Sequence, residues 1–324
     1  MNRIEMKRYY RPGMILPLAA AAIALSFTGC VKRELEIRPD EGYARIVLEW
    51  GGDDRPRSAR YLFYDATGKM VKEVTGLTDG FEGTLPVGTY RVVVHNEDAL
   101  QVDYRGIDRY ETAEVFARPT SYSDGVHAMS GESCVLEPQM VFGTGACNEA
   151  DEIVIRQCDT TRMTVTPVEL TRSVRFLFTV TGVDRVNSFT GVLQGVVSGV
   201  FLCSGKYNSS TSCTVEFEAS PATRAAALEY VADVGVFSLL TTTQSSAGTN
   251  KMTVTLTLSD GSRSTGTFDL TETLQKIILG NEGQYPLHIP VDITLRVEPL
   301  GRLSATVEPW DDSGSGGGNP RPQP

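Results

Sequence analysis

The stretch YARIVLEW at residues 43–50 alternates. Ala44, Ile46, Leu48 and Trp50 fall on one face and Arg45 and Glu49 on the other, with Val47 out of step. Successive side chains of an extended chain point to opposite faces, so this period marks a half-buried strand, expected in an antiparallel sheet. RYLFYD at 60–65 and YRVVVHN at 90–96 read as further strands. Between them stand Gly68, Asp79-Gly80 and the element LPVGTY at 85–90. Proline presets φ and glycine accepts the left-handed position, so Pro86-Val87-Gly88 predicts a turn. The second half repeats the logic. In VRFLFTVT, Val174, Phe176, Phe178 and Val180 share a face; in MTVTLTL, Met252, Val254, Leu256 and Leu258 do. Asp260-Gly261 then predicts a hairpin into STGTFDL. Two segments suit short helices: the alanine-rich Pro221 to Ala232, and Thr271 to Leu279, where Leu274, Ile277 and Ile278 fall at helical spacing after a cap. Many short strands broken by turns, with few helices, predict an all-β chain of β-sandwiches.

The chain has 324 residues and a formal net charge of −10. Hydrophobic residues at 41% against 22% charged support a packed body rather than a disordered one. The acidic balance argues against a nucleic-acid partner, which selects for a basic patch. The short strand pattern argues against a helical bundle or a polytopic membrane protein. The length suits two domains, and we expect β-sandwiches over 40–160 and 161–310, divided between NEADEIVIRQCD and TRMTVTPVEL. Residues 311–324, DDSGSGGGNPRPQP, lack apolar material to bury and read as a flexible tail.

Residues 1–29 read as an export signal. Arg3, Lys7, Arg8 and Arg11 form a basic start, and Met14 to Leu25 is an apolar run of twelve residues, short for a membrane span. Small residues then lead to Cys30 in FTGC, which resembles a bacterial lipobox. That resemblance implies cleavage before Cys30 and its lipidation, tethering the chain to a membrane through residues 30–39 as a linker. The alternative is an ordinary signal peptide, or an anchor helix, with an unmodified cysteine. The mature chain would carry 26 basic against 39 acidic residues, a balance of −13, so its body has no affinity for anionic lipid through charge. Five cysteines then remain. Cys203 and Cys213 flank the turn-rich SGKYNSSTS and form a candidate disulfide; free thiols are the other reading. Cys134, Cys147 and Cys158 are too widely spaced for a zinc knuckle.

There is no phosphate loop, HExxH, GxSxG or GxGxxG. His95, His127 and His288 are far apart, and two of them fall in predicted strands. No enzyme activity, metal or cofactor is expected. Tyr104, Tyr110 and Tyr122 cluster in one stretch and could stack on a sugar, although packing against a sandwich edge explains them as well. Asp159-Thr160-Thr161 resembles O-glycosylation sites of exported Bacteroidales proteins, making Thr160 a candidate.

Several motifs in order carry a family likeness. Arg33-Glu34-Leu35-Glu36 after Cys30, a strand ending in Trp50, Phe63-Tyr64-Asp65 with Gly68, LPVGTYRVVVHNED, ELTRSVRFLFTVTG, FTGVLQGVVSGVFLCSG, SDGSRSTGTFDLTETL and Trp310 together resemble Bacteroidales fimbrillin-like lipoproteins, in particular the anchor and accessory subunits of minor fimbriae. The likeness covers most of residues 30–310. It implies tandem transthyretin-like β-sandwiches, an outer-membrane or cell-surface lipoprotein, and a role in type V pili. Stalk subunits of such pili are cleaved at an arginine, here Arg38 or Arg45, to free a groove for a neighbour's strand; anchors keep their lipid. Expected partners are the membrane, through the lipid, and pilin subunits joined by β-strand complementation, with Val174 to Thr181 and Val291 to Glu298 as candidate strands. A carbohydrate- or host-ligand-binding surface lipoprotein is the competing reading.

Overall fold

The structure is a computed structural model. It describes residues 40–50, 55–122, 133–144, 152–210, 212–222, 228–240, 249–279 and 288–309. The signal segment, Cys30, the 30–39 linker, His127, Cys147, Trp310 and the 311–324 tail lie outside them. The described chain is all-β, with the one α-helix Thr271–Leu279 and two short 3-10 turns.

The opening motif forms strand Glu41–Leu48, the middle of a three-stranded sheet. Gly80–Pro86 runs antiparallel on one side of it and Thr160–Val165 parallel on the other. The expected antiparallel pairing therefore holds on one side only. A parallel neighbour needs a long crossover, and most of the first half of the chain supplies it. Ala44, Ile46 and Leu48 point into the core, while Val47 is 36% exposed. Trp50 follows the strand, packs edge-on against Phe142 and donates from Nε1 to Thr78 O.

Across this sheet lies a second one. Its central strands are Ala59–Tyr64 and Gly88–Asn96, with Met70–Gly76 at one end and the short Phe142–Gly143 and Val168–Glu169 towards the other; Glu152–Ile155 also pairs with Gly88–Asn96. Tyr61, Phe63, Tyr90, Val92 and Val94 face the first sheet. Leu62, Tyr64 and Val93 point the other way, into a second core that continues into the C-terminal half. Burial on both faces explains why RYLFYD and YRVVVHN read as apolar runs rather than alternations. The expected turn with a left-handed Gly88 is not formed: Gly80–Pro86 passes to Gly88–Asn96 through a one-residue bend at Val87, where the chain changes sheets, and Gly88 is not among the glycines with positive φ. Tyr90 Oη donates to Pro86 O across the bend at 2.9 Å.

The C-terminal half is a second pair of sheets. In one, Arg172–Thr181 is flanked by Leu228–Val236, antiparallel, and His288–Val297, parallel, with Ser220–Pro221 and Leu303–Pro309 outside them. In the other the order is Arg263–Asp269, Lys251–Leu258, Val186–Val197, Ser212–Glu218 and Ser133–Val135. Val174, Phe176, Phe178 and Val180 meet Met252, Val254 and Leu256 in the core, as their alternation predicts. The Phe217 ring stacks on Phe176 and Phe178 at 5.6 and 6.3 Å. Gly191 makes room for it, since a Cβ there would lie 2.2 Å from the ring.

Helix Thr271–Leu279 forms where its spacing placed it, burying Leu274 and Ile278. Asp269 Oδ1 caps it by accepting the Thr271 N–H at 3.0 Å. The other expected helix is not formed over its described residues. Ser220–Pro221 and Leu228–Val236 are strands, because the buried Tyr230, Ala232, Val234 and Val236 alternate and pair with Arg172–Thr181. That tertiary pairing outweighs the helix preference of alanine.

A small sheet joins the halves. Its strands are Val102–Arg105, Glu114–Ala117 and Gly199–Phe201. The buried Glu114 receives two hydrogen bonds from Arg105, at 2.7 and 2.9 Å, and one from Asn208 Nδ2 at 2.9 Å. The charge is thereby fully paired, as burial demands.

Candidate interaction site

A groove of about 740 Å³ runs over the outer face of the second sandwich. Its floor comes from Ser188, Thr190, Thr257, Glu216 and Glu218, outward residues of three neighbouring strands. Its wall is residues 120–121 and 135–137, with Gln101 and Arg263 at the rim. The lining mixes hydroxyls, carboxylates, an amide and one arginine with the apolar Val135, Leu136 and Phe217. Glu137 Oε2 accepts the Gly235 N–H at 3.0 Å. Burial first, and the nearby Asp233, push the Glu137 carboxyl above the ordinary range. Cys134 lies behind the wall, its thiol pushed up to about 11 by burial and by Glu216. Such a thiol is a packing group, not a nucleophile.

The other candidates lie on different elements, and no disulfide is formed between Cys203 and Cys213 in the structure. Cys203 is half-buried after strand Gly199–Phe201 and Cys213 is buried in strand Ser212–Glu218. Cys213 lies opposite Ser133 and Thr214 opposite Cys134, so Cys134 and Cys213 point to opposite faces. Thr160 is exposed at the start of the edge strand Thr160–Val165, with its N–H donating to Asp159 Oδ1 at 2.7 Å. Arg45 sits within the middle strand Glu41–Leu48, paired to Glu82 at 3.1 Å. Among the described residues no cluster of three His, Cys, Asp or Glu groups could hold a metal ion, and no helix is long and apolar enough to cross a membrane.

Two of the three clustered tyrosines pack against other rings of the body. Tyr104 lies 4.3 Å from the His95 ring, and Tyr110 packs on Tyr64 at 5.5 Å with the Arg91 guanidinium 5.0 Å from its centroid. These rings serve the junction between the halves.

The two strands expected to meet a partner are interior. Arg172–Thr181 has neighbours on both sides, and so does His288–Val297, which lies between it and Leu303–Pro309. Neither presents a free edge. Alternating apolarity reveals which face is buried but carries no information about lateral neighbours. Among the described residues, strands with a single strand partner include Met70–Gly76, Gly80–Pro86 and Thr160–Val165; the outer side of Arg263–Asp269 is bridged at Thr265 to Arg302. One of these edges is guarded: Lys72 turns inward, lies 5.6 Å from the Phe81 centroid and donates to Thr84 O at 2.9 Å. An inward charge of this kind discourages edge-to-edge pairing.

This architecture matches known proteins. Residues 29–218 match the model of a family described as a domain of unknown function, DUF5119. The chain belongs to that family. The DUF5119 match takes in the first sandwich, the junction sheet and the second sandwich as far as strand Ser212–Glu218. Over 123 residues the chain is 32% identical to a Bacteroides ovatus protein provisionally named fimbrium anchoring subunit Fim4B, a match spanning 36% of this chain and 35% of that relative. It is thereby similar to the fimbrillin-like proteins of Bacteroidales. Two solved structures of Bacteroides ovatus proteins, each provisionally described as an adhesin, share the fold. One superposes with TM-score 0.57 at 19% identity, over 85% of this chain and 95% of that one. The other has TM-score 0.56 at 12% identity, over 86% and 96%.

Proposed function

We propose that this DUF5119 chain is a fimbrial anchor or accessory subunit of the outer membrane or cell surface, without enzyme activity, held by lipid at Cys30 and joined to pilin subunits by β-strand addition. The observation that carries the reading is the 32% identity, over 123 residues, to a protein provisionally named a fimbrium anchoring subunit. The all-β body with several single-partnered edges supports it, because an extended segment can add to such an edge through backbone hydrogen bonds. Lipid at Cys30 supplies the tether, and stable attachment needs more than one acyl chain. The experiment is fractionation of cells expressing wild type and Cys30→Ser, with pull-down of pilins encoded beside this gene. Cys30→Ser should leave the membrane fraction, and the wild-type body should retain a pilin in moderate salt. An unmodified mature N-terminus by intact mass, or no pilin captured, would overturn the corresponding half of the proposal. The same mass measurement reads two finer proposals, a Cys203–Cys213 disulfide as a loss of two hydrogens and a glycan at Thr160 as added hexose mass.

A second reading, a carbohydrate- or host-ligand-binding surface protein, is favoured by the 740 Å³ groove, whose hydroxyls and carboxylates stand beside apolar side chains. Pockets of this volume accept small ligands. Glycan-array binding by the soluble body, lost in Glu216→Ala, would move it ahead.

A further inference from the structure

The groove on the second sandwich is floored by the outer face of strands that are already paired. Val186–Val197 lies between Lys251–Leu258 and Ser212–Glu218, and Lys251–Leu258 lies between Val186–Val197 and Arg263–Asp269. Their backbone groups are spent on these neighbours, so the floor offers side chains and no free ladder. The registers set those side chains in rows. Arg263 lies opposite Thr257 and Thr257 opposite Ser188, while Thr190 lies opposite Glu218. All of them line the groove. With neighbouring strands about 4.8 Å apart, the path from Arg263 to Glu218 crosses the sheet over roughly 14 Å.

The hydroxyls of this face fall into two kinds. Outside the groove they satisfy one another: Thr253 bonds Thr267 at 3.0 Å and Thr255 bonds Thr265 at 3.1 Å. Inside it, the side chains of Ser188, Thr190, Thr257, Glu218 and Arg263 make no hydrogen bond or ion pair among the described residues. A hydroxyl can donate and accept, a carboxylate accepts and a guanidinium donates. An acidic ligand would meet Glu216 and Glu218, and a basic one Arg263, whereas a neutral polyhydroxyl ligand can use both ends. The wall is already fixed. Ser133–Val135 pairs with Ser212–Glu218 and Glu137 Oε2 accepts the Gly235 N–H, so Ser133–Pro138 closes that side of the sandwich. It adds the half-buried Leu136, an apolar surface for the C–H face of a sugar ring. At the rim Gln101 holds φ +62°, an uncommon conformation for a residue other than glycine, and such outliers gather at binding sites.

We propose that this groove binds a neutral oligosaccharide laid across the strands and held by side chains alone. The proposal deepens the ligand-binding reading above and rests on it. Ser188, Thr190 and Thr257 exchange hydrogen bonds with the sugar hydroxyls. Glu218 and Arg263 hold the two ends, each a planar, two-pronged group that matches a pair of adjacent hydroxyls. An extended peptide would instead need an open strand edge, and the floor strands Val186–Val197 and Lys251–Leu258 have none. The breadth of the polar path and the volume of about 740 Å³ suit a chain of several sugars rather than one.

The test puts the mature chain on a glycan array carrying neutral, acidic and amine-bearing oligosaccharides, and follows the strongest binder by titration calorimetry. Neutral oligosaccharides should bind above both charged classes. Thr190→Val and Thr257→Val together keep the β-branched shape and remove two hydroxyls, and should weaken the strongest binder at least tenfold. Arg263→Gln, at an exposed side chain, should weaken it too and carries the test should the double variant fail to fold. Thr253→Val, whose lost hydroxyl pairs with Thr267 outside the groove, should leave binding unchanged. Binding that neither groove variant moves overturns the site, and a charged glycan as strongest binder overturns the assigned ligand. Either result leaves the ligand-binding reading standing, whereas an array on which nothing binds overturns both.

Discussion

His95 closes strand Gly88–Asn96 as a fully enclosed imidazole. Its Nδ1 donates to Asn96 O at 2.9 Å, which fixes the tautomer, and the Tyr104 hydroxyl donates to the same carbonyl at 3.1 Å. Burial, with Arg60 adding to it, lowers the His95 pKa to about 4, against the pull of the Asn96 carbonyl and Glu97. The unfolded chain takes up the proton near 6.5, so between 6.5 and about 4 the unfolded state binds more protons than the folded one. The stability from a neutral His95 is complete above 6.5 and is lost as pH falls towards 4, by about 3 kcal/mol in all. Urea unfolding at pH 7 and pH 4.5 should show this loss in wild type and a smaller one in His95→Gln. Gly191 gives a packing prediction at the same scale. Gly191→Ala drives a methyl into the Phe217 ring and should cost about 1–3 kcal/mol, read as a lower urea midpoint at unchanged m-value. The sequence placed His95 in a strand, and its enclosure follows from Tyr104 and Arg60, which alternation along one strand does not report.

Strands are where sequence and structure agree best. Alternation at 44–48, 174–180 and 252–258 located strands and their buried faces, because a period of two is a property of the extended backbone itself. The Asp260-Gly261 hairpin was equally legible: Gly261 has φ +83° and Asp260 Oδ1 receives the Ser262 N–H and Oγ–H. Lateral order was not, since hydrogen-bond partners lie far along the chain. Thr160–Val165 shows the consequence, lying in parallel beside Glu41–Leu48 across residue 160. The independence of two halves divided near that residue remains a proposal, and fragments test it. A fragment of residues 40–160 lacks nearly all of this strand and leaves one edge of Glu41–Leu48 bare, whereas 40–170 keeps it. The longer fragment should unfold at a urea midpoint at least about 1 M higher, a shift of roughly 1–3 kcal/mol. Equal midpoints would show that the Thr160–Val165 pairing contributes nothing to the first sandwich.

The molecule as a whole has one dominant core. It runs from Leu62, Tyr64 and Val93 through the junction residues Val102, Ala113 and Val115 to Phe176, Leu256 and Leu295, with a smaller core between the two sheets of the first half. Shared burial couples the halves, so calorimetry of the mature body should give one transition whose van't Hoff and calorimetric enthalpies agree. Two resolved transitions would mean that the junction packing is weak. The sequence by itself determined the all-β class, the helix at 271–279, the Asp260-Gly261 turn and the family likeness, because these depend on neighbours in the chain: periodicity, capping and glycine at a tight bend. The candidate site lay beyond its reach. Its parts, Glu137, Glu216, Gly235 and Thr257, come from four separate segments, and each alone looks like an ordinary strand or loop residue. Only the tertiary structure showed that both candidate docking strands are interior and that Ser133–Pro138 fills the side of a sandwich built from later residues. The physical reason is that a strand's side chains alternate by local geometry, whereas its backbone donors and acceptors are satisfied sideways by whatever the fold brings alongside.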